Sequence, residues 1–286
     1  MATPVTVGPD ASDDFSNLVD ALAAVPSQGE AVISVKESGS SFGAGVTIDE
    51  GRVIALLADG GRPTLVGGAP SNLSAAMRVR SKAVVMVAGL KIALQRASID
   101  VSDGSLALDR VELSAAASLG SFEVIRATSG SELRLRSSFV VGGPNVRNGI
   151  VLSTGAELDV LYSSVAATGS DGATVECNAP VAIAVRNSIL LSNGPTVLDG
   201  SCGAASEVTY TAATSLLDGT ANTTFAPSSG LFDGVIDLRL TAAGVQQFEG
   251  TALWRDFDPR VDVDGTPRAN LVDSSPDVAG AHLGPP

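Results

Sequence analysis

The chain has 286 residues and a formal net charge of −13, from 18 Lys and Arg against 31 Asp and Glu. This acidity disfavours a nucleic-acid-binding protein, because contact with phosphates requires a basic face. Hydrophobic residues make up 44% of the chain and aromatic residues only 4%, so a sizeable core must be built from aliphatic side chains. The 31 glycines, together with many Ser and Thr residues, are typical of short strands joined by turns rather than of long helices.

The opening residues predict a strand followed by a helix. Apolar and polar residues alternate over 3–7, and Pro9 closes this segment. We expect Asp13 to cap the N-terminus of the helix and Pro26 to follow its end. Its apolar stripe has helical spacing and consists of Phe15, Leu18, Val19 and Leu22. A helix placed before a long series of strands is expected to cap the open end of a sheet or solenoid.

The rest of the chain to about residue 217 is a series of short strand patterns separated by turn residues. These patterns cover 31–35, 52–57, 83–90, 106–113, 133–141, 158–165, 181–191 and 208–217. Three of them contain the same order of apolar, polar, Ser or Asn, Ser, apolar residues, at 135–139, 161–165 and 185–189, with a looser copy at 212–216. The chain therefore contains an internal repeat with a period in the middle twenties.

A repeat of this length that is made of strands predicts a parallel β-helix, in which each coil stacks on the previous one. Roughly seven coils would fit between residues 50 and 218 at this period. A leucine-rich repeat has a similar length, but its spacing of Leu and Asn residues is not found here. A β-sandwich is the alternative fold, although it would not produce the longer repeat.

The repeat also predicts which side chains face inward. Small polar pairs at 137–138, 163–164, 187–188 and 214–215 are expected at one corner of successive coils, where they would form a hydrogen-bonded ladder. Alternation places Leu133, Leu135, Ile183 and Val185 inside and places Arg134, Arg136, Ala182 and Arg186 outside. An Asp at position 135 or 185 would bury an unpaired charge, so we expect either substitution to unfold the protein.

Segments at both ends of the chain carry the motifs of a known family. The opening 6–23 is similar to its first strand and capping helix, and 185–190 is similar to its "v-x-N-S-i-l" coil. The segments 262–268 and 276–282 are similar to "D-x-D-G-x-x-R" and "D-I-G-A-Y-E". The chain thus resembles bacterial right-handed parallel β-helix proteins with PbH1 repeats, in the pectate-lyase-like superfamily. It departs from the family in two places. Gly230-Leu231 stands where the family's "D-P-x-F" stretch has Asp-Pro, and His282-Leu283 stands where "D-I-G-A-Y-E" has Tyr-Glu.

The resemblance implies a single all-β domain over 1–286. Its parts would be a strand and capping helix over 1–30, coils over 31–221, and a tail over 222–286 that packs on the last coils. Members of the superfamily include polysaccharide lyases, glycoside hydrolases, adhesins and other surface proteins. The resemblance therefore implies a fold and leaves the activity open.

The cysteines and the histidine narrow the chemistry. Cys177 and Cys202 lie about one repeat apart, so adjacent coils would bring them together and a disulfide is expected in an exported protein. Two buried free thiols are the alternative. His282 is the one histidine, which disfavours a Cys/His zinc site and a Ser-His-Asp triad. The first residues show neither a basic nor an apolar leader pattern, and no apolar run is long enough to span a membrane.

Four aspartates near the end of the chain form its densest group of carboxylates. They are Asp256, Asp258, Asp262 and Asp264, followed by Gly265. Their alternation resembles half of a calcium loop, but the bidentate Glu of an EF-hand is missing. Arginines at 255, 260 and 268 interleave with them, so we expect ion pairs and turn hydrogen bonds that hold the tail on the coils. Calcium is the alternative, and no other cofactor is expected.

Two sets of side chains are candidates for sugar binding. Tyr162 and Tyr210 are predicted to face outward two coils apart, where their rings would stack on sugars. Arg134, Arg136 and Arg186 would form a basic stripe toward an acidic glycan. Isolated surface rings and a solvated charged face are the alternative interpretations.

The sequence favours a non-catalytic function. The Asn-Thr-Asp, Asp-Asp and Gly-His-Gly motifs of polygalacturonases are absent, and few lysines are present to act as the base of a lyase. We therefore expect an exported or cell-surface protein that acts as a rigid scaffold or adhesin-like module and contacts polysaccharide or a protein partner. A polysaccharide lyase or glycoside hydrolase with a divergent acidic site is the alternative. Filament formation through open edges is disfavoured by the capping helix.

Overall fold

The fold consists almost entirely of short strands. The computed structural model describes residues 4–36, 41–43, 45–68, 75–95, 98–116, 122–227, 230–234, 236–268 and 275–284, so parts of the predicted coils and tail lie outside the described residues. The first elements are β1 (Val5–Val7), α1 (Leu18–Ala24), β2 (Glu30–Lys36), β3 (Ser41–Gly43), β4 (Val46–Ile48), β5 (Val53–Asp59), β6 (Thr64–Gly68), β7 (Met77–Arg80), β8 (Val84–Ala88), β9 (Lys91–Gln95), β10 (Ile99–Ser102), β11 (Ser105–Asp109), β12 (Glu112–Ala116) and β13 (Phe122–Thr128).

The second half continues in the same style and adds two short helices. Its elements are β14 (Glu132–Arg136), β15 (Phe139–Gly142), β16 (Val146–Leu152), β17 (Glu157–Leu161), β18 (Ser164–Ala167), β19 (Val175–Cys177), β20 (Ala182–Arg186), β21 (Ile189–Ser192), β22 (Leu198–Gly200), α2 (Cys202–Ala205), β23 (Ser206–Thr209), β24 (Ala212–Ala213), β25 (Thr223–Thr224), α3 (Ala242–Phe248), β26 (Ala252–Trp254) and β27 (Ser275–Asp277).

The strands form a parallel β-solenoid, as the repeat predicts. Sheet I contains β1, β2, β5, β8, β11, β14, β17, β20 and β23; sheet II runs from β3 to β25 and sheet III from β4 to β22. Neighbouring strands within each sheet are parallel. Each coil contributes one strand to each sheet, and about seven coils lie between β2 and β22. The first coil begins at Glu30, next to residue 31, where the coils are predicted to begin.

The predicted alternation in sheet I is confirmed. Leu133, Leu135, Ile183 and Val185 are buried in one continuous aliphatic core. Arg134, Arg136 and Ala182 are exposed, and Arg186 is half-buried. Because successive side chains of a strand point to opposite faces, the outer face of sheet I is free to carry charged residues.

The predicted polar ladder exists at the corner between sheets I and II, but its register differs from the prediction. The backbone N–H of Ser138 donates to Ser163 Oγ (3.2 Å), and that of Ser163 donates to Ser188 Oγ (3.2 Å). Ser138, Ser163, Ser188 and Thr211 each donate a hydroxyl to the carbonyl two residues earlier. The ladder stabilises the corner because each buried N–H and hydroxyl has a partner.

Two copies of the predicted repeat were wrongly aligned. Leu135 pairs with Val160 rather than with Leu161, so the second copy begins one residue earlier. Thr211, and not Thr214 or Ser215, continues the ladder, because Ala212 pairs with Ile189. A shift of one residue in a strand exchanges its inner and outer faces. Here it moves Tyr162 from the outer face of the strand to the corner after β17.

The first helix is shorter than predicted. It begins after Asn17, whose Oδ1 accepts a hydrogen bond from the backbone N–H of Asp20 (2.9 Å). Asp13, the predicted N-cap, instead accepts a hydrogen bond from the N–H of Asp10 (3.0 Å). Leu18 and Leu22 are buried with the aliphatic core, whereas Val19 is exposed.

The tail after residue 222 packs on the outer face of sheet II. Strands β15, β18 and β21 are buried at every residue, so both of their faces are covered. A second hydrophobic cluster joins their outer side chains to the tail, and its larger members are Phe139, Tyr162, Ile189, Phe225, Leu240, Phe248 and Trp254. The apolar residues on both faces of these strands therefore mark the surface on which the tail docks.

Candidate functional site

The site that stands out on the surface is a groove between the outer face of sheet I and the tail loop 255–261. Its volume is about 540 Å³. Arg134 and Arg136 line it because they alternate with the buried Leu133 and Leu135. Its lining also includes Met86, Ala107, Asp109, Arg110, Phe257, Pro259 and Arg260. We call this site the arginine groove.

The arginine groove concentrates positive charge on an acidic protein. Arg110 Nε lies 3.6 Å from Asp109 Oδ2, and Arg134 Nε lies 2.8 Å from Glu132 Oε1. Within the described part of the chain, Arg136 and Arg260 form no ion pair. A guanidinium group presents a fixed fork of donors that suits carboxylate or sulfate oxygens. The groove can therefore bind an anionic ligand.

Phe257 stands at the edge of the groove in an unusual conformation. Its side chain is 96% exposed, and its backbone has φ = 75°, a region that bulky residues rarely occupy. Such a conformation costs on the order of 1–3 kcal/mol and persists only where surrounding contacts enforce it. An exposed ring held beside arginines offers an apolar face on which a sugar ring can stack.

Three residues of the coils hold this loop and the strand before it in place through polar contacts. Arg186 forms a bidentate pair with the buried Asp258, with 2.8 Å between Nη1 and Oδ2. The Asn187 side chain exchanges two hydrogen bonds of 2.9 Å with the backbone N–H and C=O of Leu253. Ser137 Oγ donates to the carbonyl of Val261 (2.9 Å). Burial disfavours a charged Arg186, but the Asp258 hydrogen bond and charge outweigh it, so the pKa of Arg186 lies above its ordinary value.

A second recess lies on the other side of Phe257. Its volume is about 370 Å³, and Arg136, Arg255 and Asp256 line it together with Asp159 and Glu207. Asp159 and Glu207 belong to the same outward column of sheet I but are two coils apart, with a residue of β20 between them. This recess combines both charges, whereas the arginine groove is predominantly cationic.

The two tyrosines do not form a shared binding surface. Tyr162 is fully buried under the tail, and the guanidinium carbon of Arg268 lies 3.9 Å from the centre of its ring. Burial, followed by the charge of Asp277, raises the pKa of Tyr162 well above its usual value. Tyr210 is half-buried at the same corner two coils away. The prediction that Tyr162 is accessible is wrong, because the tail covers the corner to which the corrected register assigns it.

The four aspartates of the tail make separate contacts. Asp258 pairs with Arg186, and Asp256 is exposed. Asp262 Oδ1 accepts the backbone N–H groups of Asp264 (2.9 Å) and Thr266 (2.8 Å). Among the described residues, no group of three or more His, Cys, Asp or Glu side chains is arranged to hold a metal ion. The contacts observed are ion pairs and turn hydrogen bonds, as the sequence predicts for these aspartates.

Asp264 belongs to a charge cluster that clamps the tail to the coils. Arg62 and Arg239 both contact Glu112, and Lys91 Nζ lies 3.3 Å from Glu112 Oε2. Arg62 Nη1 lies 2.8 Å from Asp264 Oδ1, and Arg239 Nε donates to Asp264 Oδ2 (3.0 Å). Desolvation opposes ionisation of both carboxyls, but the arginines outweigh it and hold the pKa of Glu112 and the pKa of Asp264 below their usual values.

His282 completes this clamp as a neutral imidazole. The backbone N–H groups of Leu240 (3.0 Å) and Gly284 (3.1 Å) donate to Nδ1, so the proton must lie on Nε2. Nε2 faces Asp264 Oδ2 at 3.4 Å. Burial lowers the pKa of His282 despite the nearby carboxylates of Asp262 and Asp264. The histidine thus supports the tail and lies away from the arginine groove.

The structure joins Cys177 to Cys202 by a disulfide, with 5.1 Å between the Cα atoms. Cys177 ends β19 and Cys202 begins α2, so the bond ties adjacent coils together. Both sulfurs are buried. The pair is structural and does not contribute to the groove.

Sequence reasoning did not assign Phe257, Arg110 or Arg260 to a binding site. A signal for Phe257 was present, since a large apolar residue between Asp256 and Asp258-Pro259 lies in a turn rather than in a strand. Nothing in the repeat indicated that the tail loop would return to sheet I beside Arg134 and Arg136. Their placement depends on the docking of the tail.

No helix among the described residues has the length and apolar character needed to cross a membrane. Comparison of the chain with protein-family models, with curated proteins and with solved structures gives no match.

Proposed function

We propose that this protein is a non-catalytic, exported or cell-surface β-solenoid that binds an acidic polysaccharide in the arginine groove. The observation that carries the proposal is the meeting of Arg134, Arg136 and Arg260 beside the exposed ring of Phe257. Arginine forks suit the carboxylates of uronic acids, and the ring suits their pyranose faces. The rigid coils would present the groove as a fixed surface.

The resemblance of the chain to right-handed β-helix proteins with PbH1 repeats belongs to the same proposal. The parallel solenoid and the disulfide between coils support it, because disulfides persist in oxidising compartments. The proposal therefore includes three properties besides binding: membership of that superfamily, a right-handed coil direction and an extracellular location.

The test is isothermal titration of the intact protein with polygalacturonate and with neutral dextran. We expect the protein to bind polygalacturonate with an affinity that decreases as salt is added. In the double variant Arg134→Ala/Arg136→Ala this affinity should be at least about tenfold lower. Arg147→Ala is the matched control, because Arg147 is an exposed arginine outside the groove. Equal affinity of the double variant and the control variant would contradict the proposal.

The same samples distinguish the other interpretations. Release of unsaturated or reducing ends would show a lyase or hydrolase and overturn the non-catalytic assignment. Binding that requires calcium and is abolished by a chelator would show that the ligand is held through a cation and not through the arginines. Tight binding of dextran would show that charge does not select the ligand.

A further inference from the structure

An apolar strip continues the arginine groove along the outer face of sheet I. Val53, Val84 and Met86 are 41%, 43% and 42% exposed. Ala55 and Ala107 complete the strip and are partly exposed. Met86 and Ala107 also line the groove, so the strip and the groove form one continuous surface.

The strand register aligns the strip with the arginines. Ala55 pairs with Met86, Met86 with Ala107, and Ala107 with Arg134. Adjacent parallel strands lie about 4.8 Å apart, so this column extends about 14 Å from its apolar end to the arginine. Its side chains change from apolar to cationic in one direction along the solenoid.

The strip is uncovered, unlike the apolar outer face of sheet II. There the core of the coils buries the inner side chains of β15, β18 and β21, and the tail packs against the outer ones. On sheet I the tail loop reaches only the end of the strip, where Phe257 and Pro259 line the groove with Met86. Apolar side chains that adjoin one another on a surface can contribute to a binding site, and here they lie next to the arginines.

We propose that the ligand of the arginine groove is an anionic amphiphile: an acidic sugar that carries an alkyl or acyl chain, with the chain lying on the apolar strip. This inference rests on the proposed function and names a further part of the ligand. The arginines require an anion at one end, and the strip offers apolar surface at the other. A protein partner is disfavoured because a stable interface needs roughly twenty residues from each side, whereas the strip and the groove together have fourteen.

The test measures how much an alkyl chain on the ligand increases the affinity for the same sugar headgroup. Octyl β-D-glucuronide, methyl β-D-glucuronide and octyl β-D-glucoside are titrated into the intact protein below their micelle concentrations. We expect the octyl glucuronide to bind at least about tenfold more tightly than the other two, because only it engages both arginines and strip. Equal affinity of the octyl and methyl glucuronides would overturn the inference, as would equal affinity of the two octyl compounds.

Variants of the strip then test where the alkyl chain of the ligand binds. Val53→Thr/Val84→Thr keeps the shapes of two side chains that lie outside the groove while making the strip polar, so it should reduce the advantage of the octyl group and leave methyl glucuronide and polygalacturonate binding unchanged. Val181→Thr is the matched control, since Val181 is 58% exposed outside the strip. An undiminished octyl advantage in the double variant would overturn the inference, while polygalacturonate binding would still support the proposed function. If the unmodified protein bound none of the acidic ligands, that result would contradict both the inference and the proposed function.

Discussion

At the corner between sheets I and II, residues with a left-handed backbone recur in successive coils, and three of them hold the tail through their side chains. Ser137, Tyr162, Asn187 and Tyr210 have φ between 44° and 55° and follow one another at the corner between sheets I and II. This left-handed conformation turns the chain from one sheet into the next and directs the side chain away from the core. Ser137 and Asn187 bind tail backbone, and Tyr162 packs under Arg268. The corner is therefore where the coils recognise the tail.

Asn187 combines both requirements, because Asn tolerates the left-handed region and its amide pairs with Leu253. We expect Asn187→Gly to lower the free energy of unfolding by about 1–3 kcal/mol through the lost hydrogen bonds. Asn187→Ala should lower it by a further 1 kcal/mol or so, through the added backbone strain. Urea unfolding followed by circular dichroism measures both values. Equal free energies of unfolding for the Ala and Gly variants would show that backbone strain at this corner does not affect stability.

At the scale of elements, the tail is held by apolar burial and by the charge clamp. Phe225 and Phe248 meet edge to face with 5.0 Å between ring centres, and they pack with the outer side chains of sheet II. Glu112 of β12 is the residue of the coils that both Arg62 and Arg239 contact. Since Arg239 and Asp264 come from the tail, the clamp forms only when the tail is docked.

The clamp makes the stability of the protein depend on pH. The folded pKa values of Glu112, Asp264 and His282 are all lowered, so the unfolded chain takes up protons first as the pH falls. We expect the free energy of unfolding to be highest above about pH 6.5, to decrease slightly below it as unfolded His282 protonates, and to decrease more steeply below about pH 4.3. Denaturant unfolding across this range, with hydrogen exchange of the tail, measures the effect.

Glu112→Gln separates the clamp from the general acid response. It should lower the free energy of unfolding at neutral pH by about 1–3 kcal/mol and make the decrease at acidic pH shallower. Glu207→Gln is the control, because Glu207 is exposed on sheet I. A Glu112→Gln variant with the same acid profile as the Glu207→Gln variant would show that the clamp does not govern the tail.

At the scale of the whole molecule, one aliphatic core runs through the coils and the disulfide joins two of them. Leu135 lies fully buried in that core, between Leu108 and Val160 of the neighbouring coils. Because each coil contacts only its neighbours, a disturbance of one interface interrupts the stack. The core thus joins the coils that carry the groove and the strip.

Leu135→Asp should prevent folding or lower the free energy of unfolding by more than about 4 kcal/mol, because the carboxylate has no partner between the coils. Ala107→Asp is the matched control on the adjacent coil: it faces outward beside Arg134 and should change stability by less than about 0.5 kcal/mol. Thermal unfolding by calorimetry measures both. A native melting temperature for Leu135→Asp would contradict the inward assignment.

Several features could be predicted because they depend on local pattern. Strand β2 and the inward residues of β14 and β20 follow from alternation, which is a property of any half-buried strand. The predicted strand 158–165 is in fact two strands, β17 and β18, that bend at Tyr162. Apolar patterning does not reveal such a bend, because a left-handed residue other than Gly or Asn has no sequence signature.

By itself the sequence determined that the chain stacks repeated strands around an aliphatic core, that Arg134 and Arg136 face outward, and that Cys177 and Cys202 lie one coil apart. These properties depend on side-chain alternation and on the repeat, both of which are local. Only the tertiary structure decided that the tail covers Tyr162 and brings Phe257 and Arg260 to the arginines of sheet I. The reason is physical: the contacts that dock the tail join residues more than sixty positions apart, and no local pattern specifies such a pairing.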